Sequence, residues 1–185
     1  MMLRFSRLFF GAAACIGAAA GPAFALETHC TGREKYLERY LQIHHQLYVP
    51  RDESRVAEFY AENFTSPDSD RGGADATGGP QLMARVFAES KKSFPKRELK
   101  EDMIFCVDNF VIVRTILSGT MDGEMMGQAP TGKSYSITAI DIYEFNDEMK
   151  IVRRWGNSDL AGMLRQLGLS LTPPKKSETA PSSGR

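Results

Sequence analysis

The stretch ITAIDIYEF, residues 137 to 145, limits the possible folds more than any other part of the chain. A β-strand sends alternate side chains to opposite faces, so Ile137, Ala139, Asp141, Tyr143 and Phe145 share one face. That face is apolar except for the carboxylate of Asp141. After a tight turn, Ile151, Arg153 and Trp155 repeat the spacing, and the same parity extends to Asn157 and Asp159. An acid among aromatic and aliphatic groups is desolvated, which favours its neutral form and makes it a candidate proton carrier.

Upstream, Glu98–Val107 and Phe110–Thr120 form a second strand pair, with Asp108-Asn109 as the turn and VIVRTI as a β-branched flank. The N-terminal half is helical instead. Tyr36, Leu37, Tyr40, Leu41, His44, Leu47 and Tyr48 recur at helical spacing over Arg33–Tyr48, and Pro50 ends that helix. A shorter helix follows, with Ser54 as its expected N-cap and Val56, Phe59 and Tyr60 turned inward. A third opens at Gly79-Pro80, buries Leu82, Val86 and Phe87, and stops at Pro95. Between them, TSPDSDRGGADATGG (residues 65 to 79) is all turn chemistry and reads as a surface loop. Helices first and an antiparallel sheet afterwards specify an α+β fold with the helices packed on one sheet face.

The chain of 185 residues carries 23 basic and 23 acidic side chains and is 42% hydrophobic. That is enough for one domain with a real core. Net neutrality argues against nucleic acid as a partner, which would favour a basic surface. Arg4 and Arg7 precede an apolar run from Leu8 to Ala20, and Ala23-Phe24-Ala25 supplies small residues for cleavage. Residues 1–25 therefore read as a secretory signal, with no membrane span after its removal and a periplasmic or secreted destination. The folded domain is expected over residues 26–172, and PPKKSETAPSSGR (residues 173–185) has the composition of a disordered tail. In the mature chain, Cys30 and Cys106 remain. They either form a bridge, which an oxidising compartment permits, or Cys106 is simply a small buried hydrophobe. Two sulfurs without a histidine cluster give no metal site.

Taken in order, PTGK (130–133), IDIYEF (140–145), KIVRRW with W-x-x-x-D (150–159) and MLRQLG (163–168) resemble the SnoaL-like polyketide cyclases of the nuclear transport factor 2-like superfamily. The resemblance runs from about Tyr36 to Gly168. It implies a strongly curved sheet wrapped around the helices, a cone with an apolar pocket at its open end, and pairing of two copies through the outer sheet face. It also implies chemistry without a cofactor. Asp159, the aspartate of W-x-x-x-D, would be acid and base, removing a proton alpha to a carbonyl and protonating the aldol oxygen as a ring closes. Members of the family often carry a histidine soon after the position of Phe64, where this chain has Thr65-Ser66-Pro67.

Each candidate has a plainer role beside the chemical one. Asp159 also suits the start of the helix DLAGMLRQLG as a cap. Asp141 could be held by Arg153 or Arg114. Trp155 and Tyr143 suit the flat face of a ligand and equally an ordinary core. His44, on one helix stripe with Tyr40 and Tyr48, lines either the core or the pocket. PTGK lacks the spacing of a phosphate-binding loop and leads into a strand, so it is read as a turn with Gly132 at positive φ. No G-x-S-x-G elbow supports a serine hydrolase. The sequence thus points to an exported protein for an apolar, carbonyl-containing small molecule. It acts as a cyclase or isomerase with Asp159 catalytic and Trp155, Asp141, Tyr143, His44 and Tyr48 around the ligand, or as a carrier or sensor without chemistry, or as an assembly subunit.

Overall fold

A computed structural model describes residues 26–67 and 76–169. The expected signal segment and tail lie outside them. Strand β1 (Glu27–His29) leads into helix α1 (Glu34–Ile43), a π-helical turn (His44–Tyr48), a single 3-10 turn (Glu53–Arg55) and the one-turn helix α2 (Val56–Phe59). Then come β2 (Tyr60–Ser66), β3 (Ala76–Thr77), α3 (Gly79–Ser93), β4 (Glu98–Val107), β5 (Phe110–Thr120), β6 (Ser134–Phe145), β7 (Ile151–Ser158) and α4 (Leu160–Leu167). The strands join in one curved sheet in the order β1-β4-β5-β6-β7-β2-β3. This is the expected α+β architecture.

The two central hairpins form where the alternation places them. β4 and β5 keep the expected bounds. They turn at Asp108, whose φ of 52° is the left-handed conformation that a short hairpin turn demands. In β6 every odd residue from Tyr135 to Phe145 is buried, Asp141 among them. Gly132 takes the positive φ, 64°, expected of the preceding turn.

Four local expectations are corrected. The first helix does not run unbroken to Tyr48. Its last turn widens to π geometry, with the Val49 amide donating to His44 five residues back, and this turns His44, Leu47 and Tyr48 inward together. Asp52, not Ser54, is the cap of the next turn, its Oδ1 accepting from the Ser54 amide at 3.1 Å and hydroxyl at 2.6 Å. Tyr60 begins a strand rather than continuing a helix, because β2 lies parallel to β7, beginning at the Tyr60–Ile151 pairing. Thr65 and Ser66 belong to that strand, and Ala76–Thr77 pair back on it, so the expected loop starts later.

Helices α1 and α3 cover the inner sheet face. Tyr40, Ile43, Leu47, Phe59, Phe64, Phe87, Ile104, Val113 and Phe145 are buried in one cluster there. Each fully buried large side chain contributes about 1.5–3 kcal/mol. A second cluster closes the other end, where Leu164 and Leu167 of α4 pack with Phe94, Met121, Tyr135 and Ile137. A disulfide joins Cys30 to Cys106 with Cα atoms 4.6 Å apart, which decides the alternatives left open for these residues. It fastens the segment after β1 to β4.

Candidate functional site

Two β-bulges decide which residues face inward. In β4, Glu101 pairs with Thr115 and Met103 with Arg114, so Asp102 is an extra residue. Inward parity passes from Leu99 and Glu101 to Ile104 and Cys106. In β7, Ile151 pairs with Phe145 and Arg153 with Glu144, leaving Val152 extra. The inner residues of β7 are therefore Ile151, Arg154, Gly156 and Ser158. Trp155, with Arg153 and Asn157, stands on the opposite face, which corrects the parity expected from sequence. Trp155 packs there with Phe110 at 6.3 Å between ring centroids and under the Arg153 guanidinium at 5.3 Å.

The inner face now reads as rows across four strands. Leu99, Leu117 and Ile137 form an apolar row beside α4. The next is Glu101, Thr115, Ala139 and Ser158, and the one after it Ile104, Val113, Asp141 and Gly156. Cys106, Val111, Tyr143 and Arg154 follow. Between the two apolar clusters there is thus a band of small and polar residues with a carboxylate near each side.

Asp141 is paired with Arg154, not with Arg153 or Arg114. The contact is 2.5 Å, and the side chains keep only 12% and 23% of their accessibility. Arg153 goes to Glu144 and Arg114 to Asp102, both on the outer side. Gly156 makes the inner pair possible, since a Cβ there would lie 2.5 Å from Asp141 Oδ1 and 2.6 Å from Arg154 Nη2. Burial opposes the charge of Arg154, yet Asp141, with Tyr143, Tyr60 and Tyr48 nearby, holds the guanidinium well above its usual range.

Glu101, which sequence reading passed over, is the second inner carboxylate. Its Oε1 accepts from the Tyr40 hydroxyl at 3.0 Å and abuts Nδ1 of His44. Its signal was hidden, because strict alternation without the bulge would put it on the same face as Met103 and Phe105. Tyr48 and Tyr60 share a 2.7 Å hydrogen bond, and the Tyr143 ring stacks on Tyr48 at 5.8 Å. Burial first, then neighbouring phenols and carboxylates, pushes Tyr40, Tyr48 and Tyr143 well above the usual phenol range, and burial raises Tyr60 too. All four are hydrogen-bonding phenols at neutral pH. The structure therefore gathers Asp141, Tyr143, His44 and Tyr48 in the interior and separates Trp155 from them.

Asp159 lies where the band meets α4. Its amide donates to the Thr138 carbonyl at 3.2 Å, and its Oδ1 accepts from the Gly162 amide at 2.8 Å. The residue is exposed and caps the helix that follows. Two surface cavities lie elsewhere, one of about 360 Å³ beside Arg33, Tyr36 and Asp108, the other of about 240 Å³ beside Lys96, Ser118 and Tyr135. Among the described residues no cluster of three or more His, Cys, Asp or Glu is placed to hold a metal ion. Nor is any helix there long and apolar enough to cross a membrane.

The sequence profile of the SnoaL-like polyketide cyclases matches residues 38–167, from α1 to the end of α4. The chain belongs to the SnoaL-like polyketide cyclase family. It is 38% identical over 92 residues to aklanonic acid methyl ester cyclase AcmA of Streptomyces galilaeus, a match spanning 49% of this chain and 62% of AcmA. Among solved structures, IdmH of Streptomyces antibioticus superposes with a TM-score of 0.62 at 21% identity, covering 73% of this chain and 99% of IdmH. A SnoaL-like protein from Jannaschia sp. CCS1 gives 0.64 at 17% identity, covering 76% and 94%. These structural likenesses establish the fold, and the family supports a cyclase- or isomerase-like function on a small molecule.

Proposed function

We propose that this protein is an exported acid/base cyclase or isomerase that acts, without a cofactor, on an apolar carbonyl-containing small molecule. The reading rests on the band across the inner sheet face. Thr115, Ala139 and Ser158, with Gly156 in the next row, place small side chains between two apolar clusters. Carboxylates stand at the sides of the band. Removing a proton alpha to a carbonyl needs a carboxylate next to a surface that favours an enolate, and a band of small side chains flanked by apolar clusters and bounded by charges suits both needs. Asp159 at the edge of the band is the proposed proton carrier, in accord with its place in W-x-x-x-D. The bridge between Cys30 and Cys106 supports export, since such bonds persist in oxidising compartments. A homodimer is part of the reading, supported by the outer-face row Phe105, Ile112, Ile142 and Trp155, beside which Ile140 is 51% exposed.

One observation favours a second reading, a carrier or sensor without chemistry: an oxygen of Asp159 already holds an amide of its own helix. Native mass spectrometry of the protein from its own host, for any co-purifying compound, addresses both readings. Turnover is then compared between wild type and Asp159→Asn, using that compound and aklanonic acid methyl ester, the compound in the name of the relative. Asparagine caps a helix about as well as aspartate, so the variant keeps its stability while losing the proton acceptor. Loss of conversion by about 100-fold supports the enzyme. Equal conversion by both proteins refutes Asp159, and a bound compound that neither protein alters establishes the carrier.

A further inference from the structure

The two inner carboxylates have different kinds of partner, and the difference assigns them different work. Asp141 faces Arg154, whose guanidinium never releases its proton, so this pair is a fixed dipole. Glu101 faces an imidazole and a phenol, both of which carry protons that can move. The Tyr40 hydroxyl already donates to this oxygen, so a proton on His44 Nδ1 completes the contact and Nε2 is the ring nitrogen left for exchange. The backbone is shaped around this contact from both sides. The bulge at Asp102 brings Glu101 inward, and the π-helical turn brings His44 inward with Tyr48. Glu101 and Ser158, the residue before Asp159, end the same row, with Thr115 and Ala139 between them. Three strand spacings separate them, about 14 Å along the sheet.

We propose that Glu101 is a positioning residue that fixes His44 as the proton donor of the site, on the side of the band opposite Asp159. The assignment rests on the acid/base reading above and supplies what that reading lacks, a second proton-handling group. In an aldol closure, Asp159 takes the proton alpha to one carbonyl, and the C–H electron pair becomes an enolate. The enolate carbon forms the new C–C bond to the second carbonyl, whose π pair becomes an alkoxide. The alkoxide takes the Nε2 proton of His44, while the Nδ1 proton stays against Glu101. Asp159 returns its proton to water and His44 regains one, so no proton is gained or lost overall. Tyr40 holds the same carboxylate oxygen and stays protonated throughout.

The test uses the full mature chain with aklanonic acid methyl ester as probe. Glu101→Gln keeps the shape and an acceptor for Tyr40 but removes the counter-charge. The expected result is a fall of about 100-fold in kcat with KM within twofold, the size of one acid/base group. His44→Gln is expected to do the same, and the double variant no worse than either single one. A Glu101→Gln enzyme with wild-type kcat, or one changed only in KM and thermal midpoint, overturns the proposal. Long-range 1H–15N spectra of histidine-labelled wild type give an answer that needs no substrate. A proton on His44 Nδ1, lost or displaced in Glu101→Gln, supports the assignment, and an unprotonated Nδ1 overturns it. Wild type that leaves the probe unchanged counts against the acid/base reading itself, while the spectra still decide the role of Glu101.

Discussion

Replacing Arg154 with methionine removes the cation that Asp141 faces and leaves most of the volume in place. Asp141 is 9% exposed, so its carboxylate cannot exchange the lost guanidinium for bulk water without moving the strand. Breaking a buried pair from one side costs about 3–5 kcal/mol, because a charge is left in a low-dielectric site. The 23% accessibility kept by the arginine side chain places the expected loss at the lower end, about 3 kcal/mol. That loss lowers Tm by about 10 °C. Trp155, the single tryptophan of the chain, neighbours the substituted residue and reports unfolding in urea by its fluorescence. The decisive comparison is Asp141→Asn/Arg154→Met, which removes both charges and should recover most of the loss, since a neutral pair carries no desolvation penalty of this kind. A single variant within about 1 kcal/mol of wild type, or a double variant no better than the single, refutes the pairing as the reason these residues share a row.

Three further outcomes are expected. Cys30→Ser/Cys106→Ser should lose about 4 kcal/mol, because the bridge closes a separation of 76 residues and loop entropy grows with length; urea unfolding with and without reductant measures it. Tyr40, Tyr48, Tyr60 and Tyr143 have raised pKa values in the folded chain, so their contribution is full below the unfolded phenol value, about pH 10, and is lost as pH rises through the folded values. Tyrosinate absorbance should then rise together with cooperative unfolding, and gradual ionisation of these four in a folded chain would contradict their burial. Ile140→Asp, at an exposed outer-face position, should convert a wild-type dimer to monomer in sedimentation while the thermal midpoint holds; a wild type that sediments as a monomer sinks the dimer.

The sheet was legible where a period of two holds without interruption. β5 and β6 have no bulge between them, and the inward set from Ile137 to Phe145 follows from alternation alone. The site was only half legible because its other two strands each carry an extra residue. A bulge depends on how a strand meets its neighbour, so no periodicity marks Asp102 or Val152 in advance. This is why Trp155 was expected inside and Arg154 was not. β2 escaped notice for a related reason. Its partner β7 lies about ninety residues on, while Val56, Phe59 and Tyr60 locally have the spacing of a helix, so tertiary pairing overrode the local pattern. The capping role of Asp159 could be read from its place before an apolar helical repeat, as helix-start chemistry is local.

The irregularities at positions 102 and 152 have one more consequence. Each takes up one residue without disturbing the pairs on either side, so losing it would leave Glu101 opposite Thr115 and Arg154 opposite Tyr143, facing inward as they do now. Deleting Val152 would make β7 regular beside β6, with Arg154 still facing inward opposite Tyr143 and Trp155 still outward opposite Ile142. In a sheet of this kind, two strands can gain or lose one residue at a fixed point while the side chains that reach the interior stay the same.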